Sequence, residues 1–190
     1  LTESSEEESL KKAISSLSFP VFVKPVRSGS SFGITRVKDK RELLPAVRKA
    51  FEHDTRVLIE EAVDGFEVGC AVVGTEKLLT GEVDEIELSG DFFDYTEKYT
   101  LKTSKIHVPA RIPAALAQEV KETACRIYRI MGCSGFARVD MFLTPDGRIW
   151  FNEVNTIPGF TAHSRFPSML KAAGISFDEV IRMILQEGLA

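Results

Sequence analysis

Apolar residues recur along this chain at two spacings, and the two alternate. At helical spacing stand Leu10, Ile14 and Leu17 behind a Ser5-Glu-Glu-Glu8 capping box, and Leu43, Leu44, Val47, Ala50 and Phe51 behind Asp39. A third set, Leu116, Val120, Ile127 and Tyr128, lies between Pro113 and Gly132. Two closing helices are expected near 166–173 and 177–189, the second capped by Ser176 with Glu179. Pro45 falls awkwardly inside its helix unless the helix starts near it or kinks. Strand-like runs fill the rest: 19–24, 34–37, 57–61, 66–73, 78–88 and a pair within 135–155, with Glu82 and Asp84 on one face of the fifth. The mixture predicts an α+β fold with antiparallel sheets.

The last pair of strands organises the chain. Thr144-Pro-Asp-Gly147 has Pro and Gly where a tight turn wants them. The simplest hairpin pairs residues whose numbers add to about 291, so Asp140 faces Phe151 and Arg138 faces Glu153. Alternation then gathers Arg138, Asp140, Glu153 and Asn155 on one face, with Phe136, Phe142, Ile149 and Phe151. Ala137, Val139, Met141, Trp150 and Val154 form the opposite, core-type face. Polar residues at period two are often just the wet side of a sheet. A wet side, however, does not normally carry three Phe and an Ile. Two carboxylates and an amide oxygen, without His or Cys, form a hard-oxygen set suited to magnesium or manganese, and the metal reading is preferred.

Three other stretches offer chemistry. Gly29-Ser-Ser-Phe-Gly33 lies between two strands, a flap whose amides and hydroxyls suit phosphate oxygens, with Lys24 nearby; a plain loop is the competing reading. Glu60-Glu61 ends a strand before an Asp64-Gly65 turn and Glu67, a hinge between lobes or simply surface acids. Residues 89–107 mix aromatics with Lys98, Lys102 and Lys105 over a length that suits a lid closing on an anionic substrate. His163 stands alone and reads as structural.

Composition narrows the classes. The 190 residues, 44% apolar and 27% charged, suit one domain or two small lobes. A net charge of −4 argues against general nucleic-acid binding. No apolar run has membrane-spanning length and no signal peptide opens the sequence, so a cytoplasmic location is expected. Cys70, Cys125 and Cys133 lack zinc-type spacing and read as buried thiols in a reducing compartment.

Taken in order, Lys24-Pro-Val-Arg-Ser-Gly-Ser-Ser-Phe-Gly33, Glu60-Glu-Ala-Val-Asp-Gly-Phe-Glu67, Glu97-Lys-Tyr99, Gly135-Phe-Ala-Arg-Val-Asp140 and Asn152-Glu-Val-Asn-Thr-Ile-Pro-Gly-Phe-Thr161 resemble the D-alanine–D-alanine ligases of the ATP-grasp superfamily. The wording is most similar to the vancomycin-resistance ligases that use D-serine or D-lactate. The resemblance implies two small lobes with ATP between them: a partial central lobe over 1–61 and a C-terminal lobe over 62–190, with the lid at 89–107. It implies ATP-driven ligation of D-alanine to a second D-amino acid through an acyl phosphate, for peptidoglycan precursors with altered glycopeptide sensitivity.

By motif match, Lys24, Ser30, Ser31 and Lys98 would contact ATP phosphates, and Glu60, the Glu61–Val63 backbone and Glu67 would hold adenine and ribose. Asp140, Glu153 and Asn155 would bind two Mg2+, with Mn2+ as a substitute. Arg138 and the Gly159 amide would stabilise the tetrahedral intermediate, and Ser164 with Arg165 would receive the second substrate. Ser30 and Tyr99 belong to a Glu–Ser–Tyr network whose acid lies in an N-terminal domain of the family. The chain is therefore expected to be a fragment, and the full-length enzyme a homodimer. Tyr99 stands where D-lactate ligases tend to carry His, which favours D-serine or D-alanine. A D-lactate ligase, another ATP-grasp carboxylate–amine ligase and a non-catalytic nucleotide-binding module are the alternatives.

Overall fold

The computed structural model describes residues 14–29, 31–87, 105–161 and 163–189. Ser30, Lys98, Tyr99, most of the 89–107 lid and most of the opening helix lie outside them. The described residues divide into two compact units, one ending at Val63 and the other starting at Asp64.

In the first unit, β1 (Val21–Pro25) lies between β2 (Thr35–Val37) and β3 (Val57–Glu61), antiparallel to both. Alternation along β1 turns Val21 and Val23 inward to meet α1 (Lys40–Phe51) through Leu43, Ala46, Val47 and Ala50. Asp39 caps α1 by accepting from the Arg41 amide at 2.8 Å. Pro45 sits inside the helix, in its second turn.

The second unit is a six-stranded antiparallel sheet. Along the sheet the order is β7 (Lys105–His107), β6 (Asp84–Glu87), β4 (Phe66–Val73), β8 (Phe136–Leu143) and β9 (Ile149–Asn155). The short β5 (Leu79–Thr80) also pairs with β4. Helix α2 (Ala114–Ile130) packs Val120, Ala124 and Tyr128 against Val68, Cys70, Val72, Val139 and Met141 on one face. The Tyr128 hydroxyl donates to the Gly74 carbonyl at 2.8 Å, so this large buried ring leaves no unpaired polar tip. On the other face, α3 (Arg165–Ala172) and α4 (Phe177–Leu189) cover only one end, where Ala71, Val73, Phe166, Met169, Leu170 and Val180 are buried. Phe160, in the loop after β9, stacks with Phe136, Phe166 and Phe177 at centroid distances of 5.9, 5.5 and 5.4 Å. Ser176 and Glu179 close the expected capping box at the start of α4.

Two expectations are corrected. The run 78–88 is not one strand: it breaks over Gly81 to Val83. A Cβ on Gly81 would lie 2.8 Å from Met169 backbone and side-chain atoms, and the Glu82 amide donates to the Met169 carbonyl at 2.9 Å. The docking of α3 thus draws the chain off the ladder. Glu82 leaves for Lys121 on α2, at 2.9 Å, and separates from Asp84. Of the thiols, only Cys70 is fully buried, and burial pushes its pKa up; Cys125 on α2 and Cys133 just beyond its end are half-buried. All three are free. No helix among the described residues is long and apolar enough to cross a membrane.

Candidate active site

The other end of that second sheet face holds a transverse row of four residues. Gly69 on β4 pairs with Asp84 on β6 and with Asp140 on β8, and Asp140 pairs with Glu153 on β9. One step along, Ala71 pairs with Arg138, and Arg138 with Asn155. Arg138, Asp140, Glu153 and Asn155 therefore share a face, as expected, but not in the expected pairs. Asp140 faces Glu153 rather than Phe151, and Arg138 faces Asn155 rather than Glu153.

Two extra residues account for the difference. Gly147 adopts φ +84° at the turn, where its amide donates to the Thr144 carbonyl at 2.9 Å. The tip then pairs Leu143 with Ile149, Phe142 with Trp150 and Met141 with Phe151, one residue away from the simplest register. A bulge between Phe151 and Glu153 inserts Asn152 and shifts the register once more. Each single shift reverses the side chains of β9, so the tip is inverted and the site restored. Trp150, expected on the core face, lies with Phe142, while Ile149 and Phe151 turn to the face of Met141.

Asp140 is fully buried and held from several sides. Arg138 donates through Nε to Oδ1 at 2.8 Å and through Nη2 to Oδ2 at 2.7 Å. Asn155 Nδ2 donates to Asp140 Oδ2 at 2.8 Å and to Glu153 Oε1 at 3.3 Å, which ties the three oxygen-bearing side chains together. Arg165 arrives from α3, its Nη2 3.4 Å from Asp140 Oδ1. Its Nε and Nη2 donate to Asp84 at 2.7 and 2.8 Å, and its Nη1 to Glu67 Oε1 at 2.7 Å. Burial alone would lower the Arg165 pKa. The charges of Asp84 and Asp140, its hydrogen bonds to Asp84 and the Glu67 charge outweigh that and hold it well above the usual arginine value. Buried charges in such a cluster depend on one another, and removing one partner strands the rest.

The expected metal set is brought together. Asp140 and Glu153 offer carboxylate oxygens of the kind magnesium takes, while the Asn155 amide turns its Nδ2 towards both. Among the described residues no group of three or more His, Cys, Asp or Glu side chains is placed to hold a metal ion.

Gly159 and Ser164 also meet: a Cβ on Gly159 would lie 2.9 Å from the Ser164 hydroxyl. That hydroxyl does not cap α3 but accepts from the Thr161 amide at 3.0 Å. Arg165, expected on substrate, is instead occupied by three acids behind Ser164.

In the first unit, Lys24 pairs with Glu60, its diagonal neighbour across β1 and β3. The Glu61 carboxylate accepts from the Ser18 amide at 2.5 Å. The flap lies on the β1–β2 hairpin as expected; Ser31 has φ +59° and Gly33 φ +75°. Arg27 anchors its start on Asp54 at 2.6 Å and depresses the Asp54 carboxyl pKa. Val63 closes this unit, and His163 is exposed.

Asp84 and Gly69 are the residues the sequence reading missed. A glycine in the middle of an apolar strand is itself a sign of close approach.

The family described as "D-ala D-ala ligase C-terminus" matches residues 2–186. Vancomycin C-type resistance protein VanC1 of Enterococcus gallinarum is 46% identical over 88% of this chain and 49% of its own length. A D-alanine–D-alanine ligase of Caldicellulosiruptor bescii is 42% identical over 93% of this chain and 49% of its own. The crystal structure of VanG D-Ala:D-Ser ligase from Enterococcus faecalis superimposes with a TM-score of 0.90 at 57% identity, over 98% of this chain and 54% of that one. The chain thus spans about half the length of the curated relatives it matches. The fold is ATP-grasp, and the chain belongs to the D-alanine–D-alanine ligase family.

Proposed function

We propose that this chain, joined to the half that its relatives carry in addition, uses ATP to couple D-alanine to a second D-amino acid, D-serine being favoured over D-alanine, for peptidoglycan precursors. The observation that carries this reading is the convergence of Asp140, Glu153 and Asn155 beside Arg138 on one sheet face. Two points favour D-serine: Tyr99 in place of a lid His, and the 57% identity to a structure described as a D-Ala:D-Ser ligase.

In the proposed reaction the D-alanine carboxylate takes the γ-phosphoryl group of ATP, giving an acyl phosphate and ADP. The amine of the second substrate attacks the acyl carbon and loses a proton, and phosphate leaves. Asp140, Glu153 and Asn155 would hold two Mg2+, with Mn2+ as a substitute; the metal would neutralise phosphate charge. Lys24 would exchange Glu60 for a phosphate, alongside Ser30, Ser31 and Lys98. Glu60, the Glu61–Val63 backbone and Glu67 would hold adenine and ribose. Arg138, already oriented by Asp140, would stabilise the oxygen that becomes negative in the tetrahedral intermediate, as would the Gly159 amide. Ser164 would take the second carboxylate, with Arg165 fixing it from behind. Ser30 and Tyr99 would share a hydrogen-bond network with an acid from the additional half.

The test supplies the full-length protein with ATP, D-alanine and either D-serine or D-lactate across a pH range and identifies the products. Dipeptide ending in D-serine with matching ADP release is expected. Predominant depsipeptide at neutral pH would overturn the D-serine assignment, and no D-alanine-dependent ADP would overturn the ligase reading.

A further inference from the structure

We infer that Gly69 is a positioning residue, whose missing side chain makes the seat in which the Arg165 guanidinium lies between Asp84 and Asp140. Gly69 stands mid-strand in β4, between Asp84 and Asp140 in the ladder. Its φ is not in the left-handed region, so the backbone itself makes no demand for glycine. A strand would normally be steadier with a side chain there. The neighbours forbid one: a Cβ would lie 2.5 Å from Arg165 Nη2, 2.8 Å from Asp84 Oδ1 and 2.9 Å from Asp140 Oδ1.

Side-chain ends usually yield to such a contact, but these cannot. Asp84 and Asp140 are fully buried on short side chains. Arg165 is held at Nε, Nη1 and Nη2 by Asp84 and Glu67, and its Nη2 also faces Asp140. A methyl group at 69 would lift the guanidinium off the sheet, loosen its hold on Asp84 and Asp140 together, and pull on Ser164, the residue before it. One glycine thus keeps the metal-set carboxylate and the start of α3 in fixed relation.

The consequence for turnover rests on the ligase reading above; the structural consequence does not. Protein labelled with 15N should show a slowly exchanging Arg165 Nε–H signal, assigned by its absence in Arg165→Lys. Gly69→Ala should abolish that signal. In the full-length protein it should raise KM for the second amino acid by about tenfold, with KM for ATP changed less than about twofold. A persisting Nε–H signal would overturn the inference, as would an unchanged second-substrate KM in a protein that does make D-alanyl dipeptide.

Denaturation midpoints give a second measurement. Gly69→Ala should destabilise the wild-type background markedly and the Arg165→Lys background much less, and where the single variant does not fold, the double variant should. Equal losses in both backgrounds, or failure of both to fold, would overturn the inference by placing the conflict in the strand itself. A protein that loses the Nε–H signal on Gly69→Ala, yet makes no D-alanyl product, would remove the ligase reading and leave the role of Gly69 standing.

Discussion

The two faces of the six-stranded sheet bury comparable positions by opposite means. Under α2, Val68, Cys70, Val72, Val139 and Met141 meet Ala124 and Tyr128, and water is excluded by apolar contact alone. On the other face Gly69, Asp84 and Asp140 are as deeply buried, with Arg138 half-buried beside them, and the charged side chains are held by ion pairs. Apolar packing is forgiving, because a lost methyl group subtracts its own contribution and a small cavity. A charged cluster is not, because each member is another's only justification for leaving water. One face should therefore answer mutation with graded losses of stability, and the other with losses of function or with collapse of several groups together.

Glu153→Gln tests the functional side and has the largest expected effect. Substitution of this exposed acid should cut the ligase turnover proposed above by on the order of a hundredfold or more while leaving the melting temperature alone. Normal turnover would remove the metal set. Next comes Asp84→Ala, which takes from Arg165 the partner of its Nε and leaves it Glu67 and Asp140 alone, and should lower unfolding free energy by about 3–5 kcal/mol in urea titrations. A loss near zero would show that the two faces do not differ. On the apolar face, Met141→Ala should cost about 2–5 kcal/mol, and Tyr128→Phe, which strands the Gly74 carbonyl, only about 1–2 kcal/mol. Neither should change KM for any substrate.

The smallest effect is one of pH. The hydrogen bond from Arg111 holds the Glu85 carboxyl below its ordinary value, against the opposing pull of burial. Its stabilisation is thus complete above the unfolded glutamate range, about pH 4.3, and fades as pH falls below it. Melting curves between neutral and acid pH should show this loss, and Arg111→Gln should reduce its slope. An identical slope in the variant would assign the acid sensitivity elsewhere.

Local chemistry was the legible part of this chain. Asp39, the Ser176–Glu179 box and the stripe ending in Tyr128 act where they stand, so their helices could be read directly. The site face was also legible, since alternation set Arg138 beside Asp140. Its pairing was not, because Gly147 and the extra Asn152 each moved the register and together hid the error. Glu82 and Asp84 parted because α3, arriving much later in the chain, docks on Gly81. Such long-range contacts leave no periodic trace. The same holds for Arg165, whose three acids come from β4, β6 and β8.

Phe160 has a consequence for binding entropy. Its ring is gripped by Phe136, Phe166 and Phe177, which pins the β9–α3 loop at its midpoint and leaves only short arms on either side. The freedom of the Gly159 amide and the Ser164 hydroxyl is thereby surrendered when the protein folds, at the expense of the core. A substrate carboxylate arriving there, as proposed above, would meet groups already immobilised, and its affinity would not be reduced by having to order them.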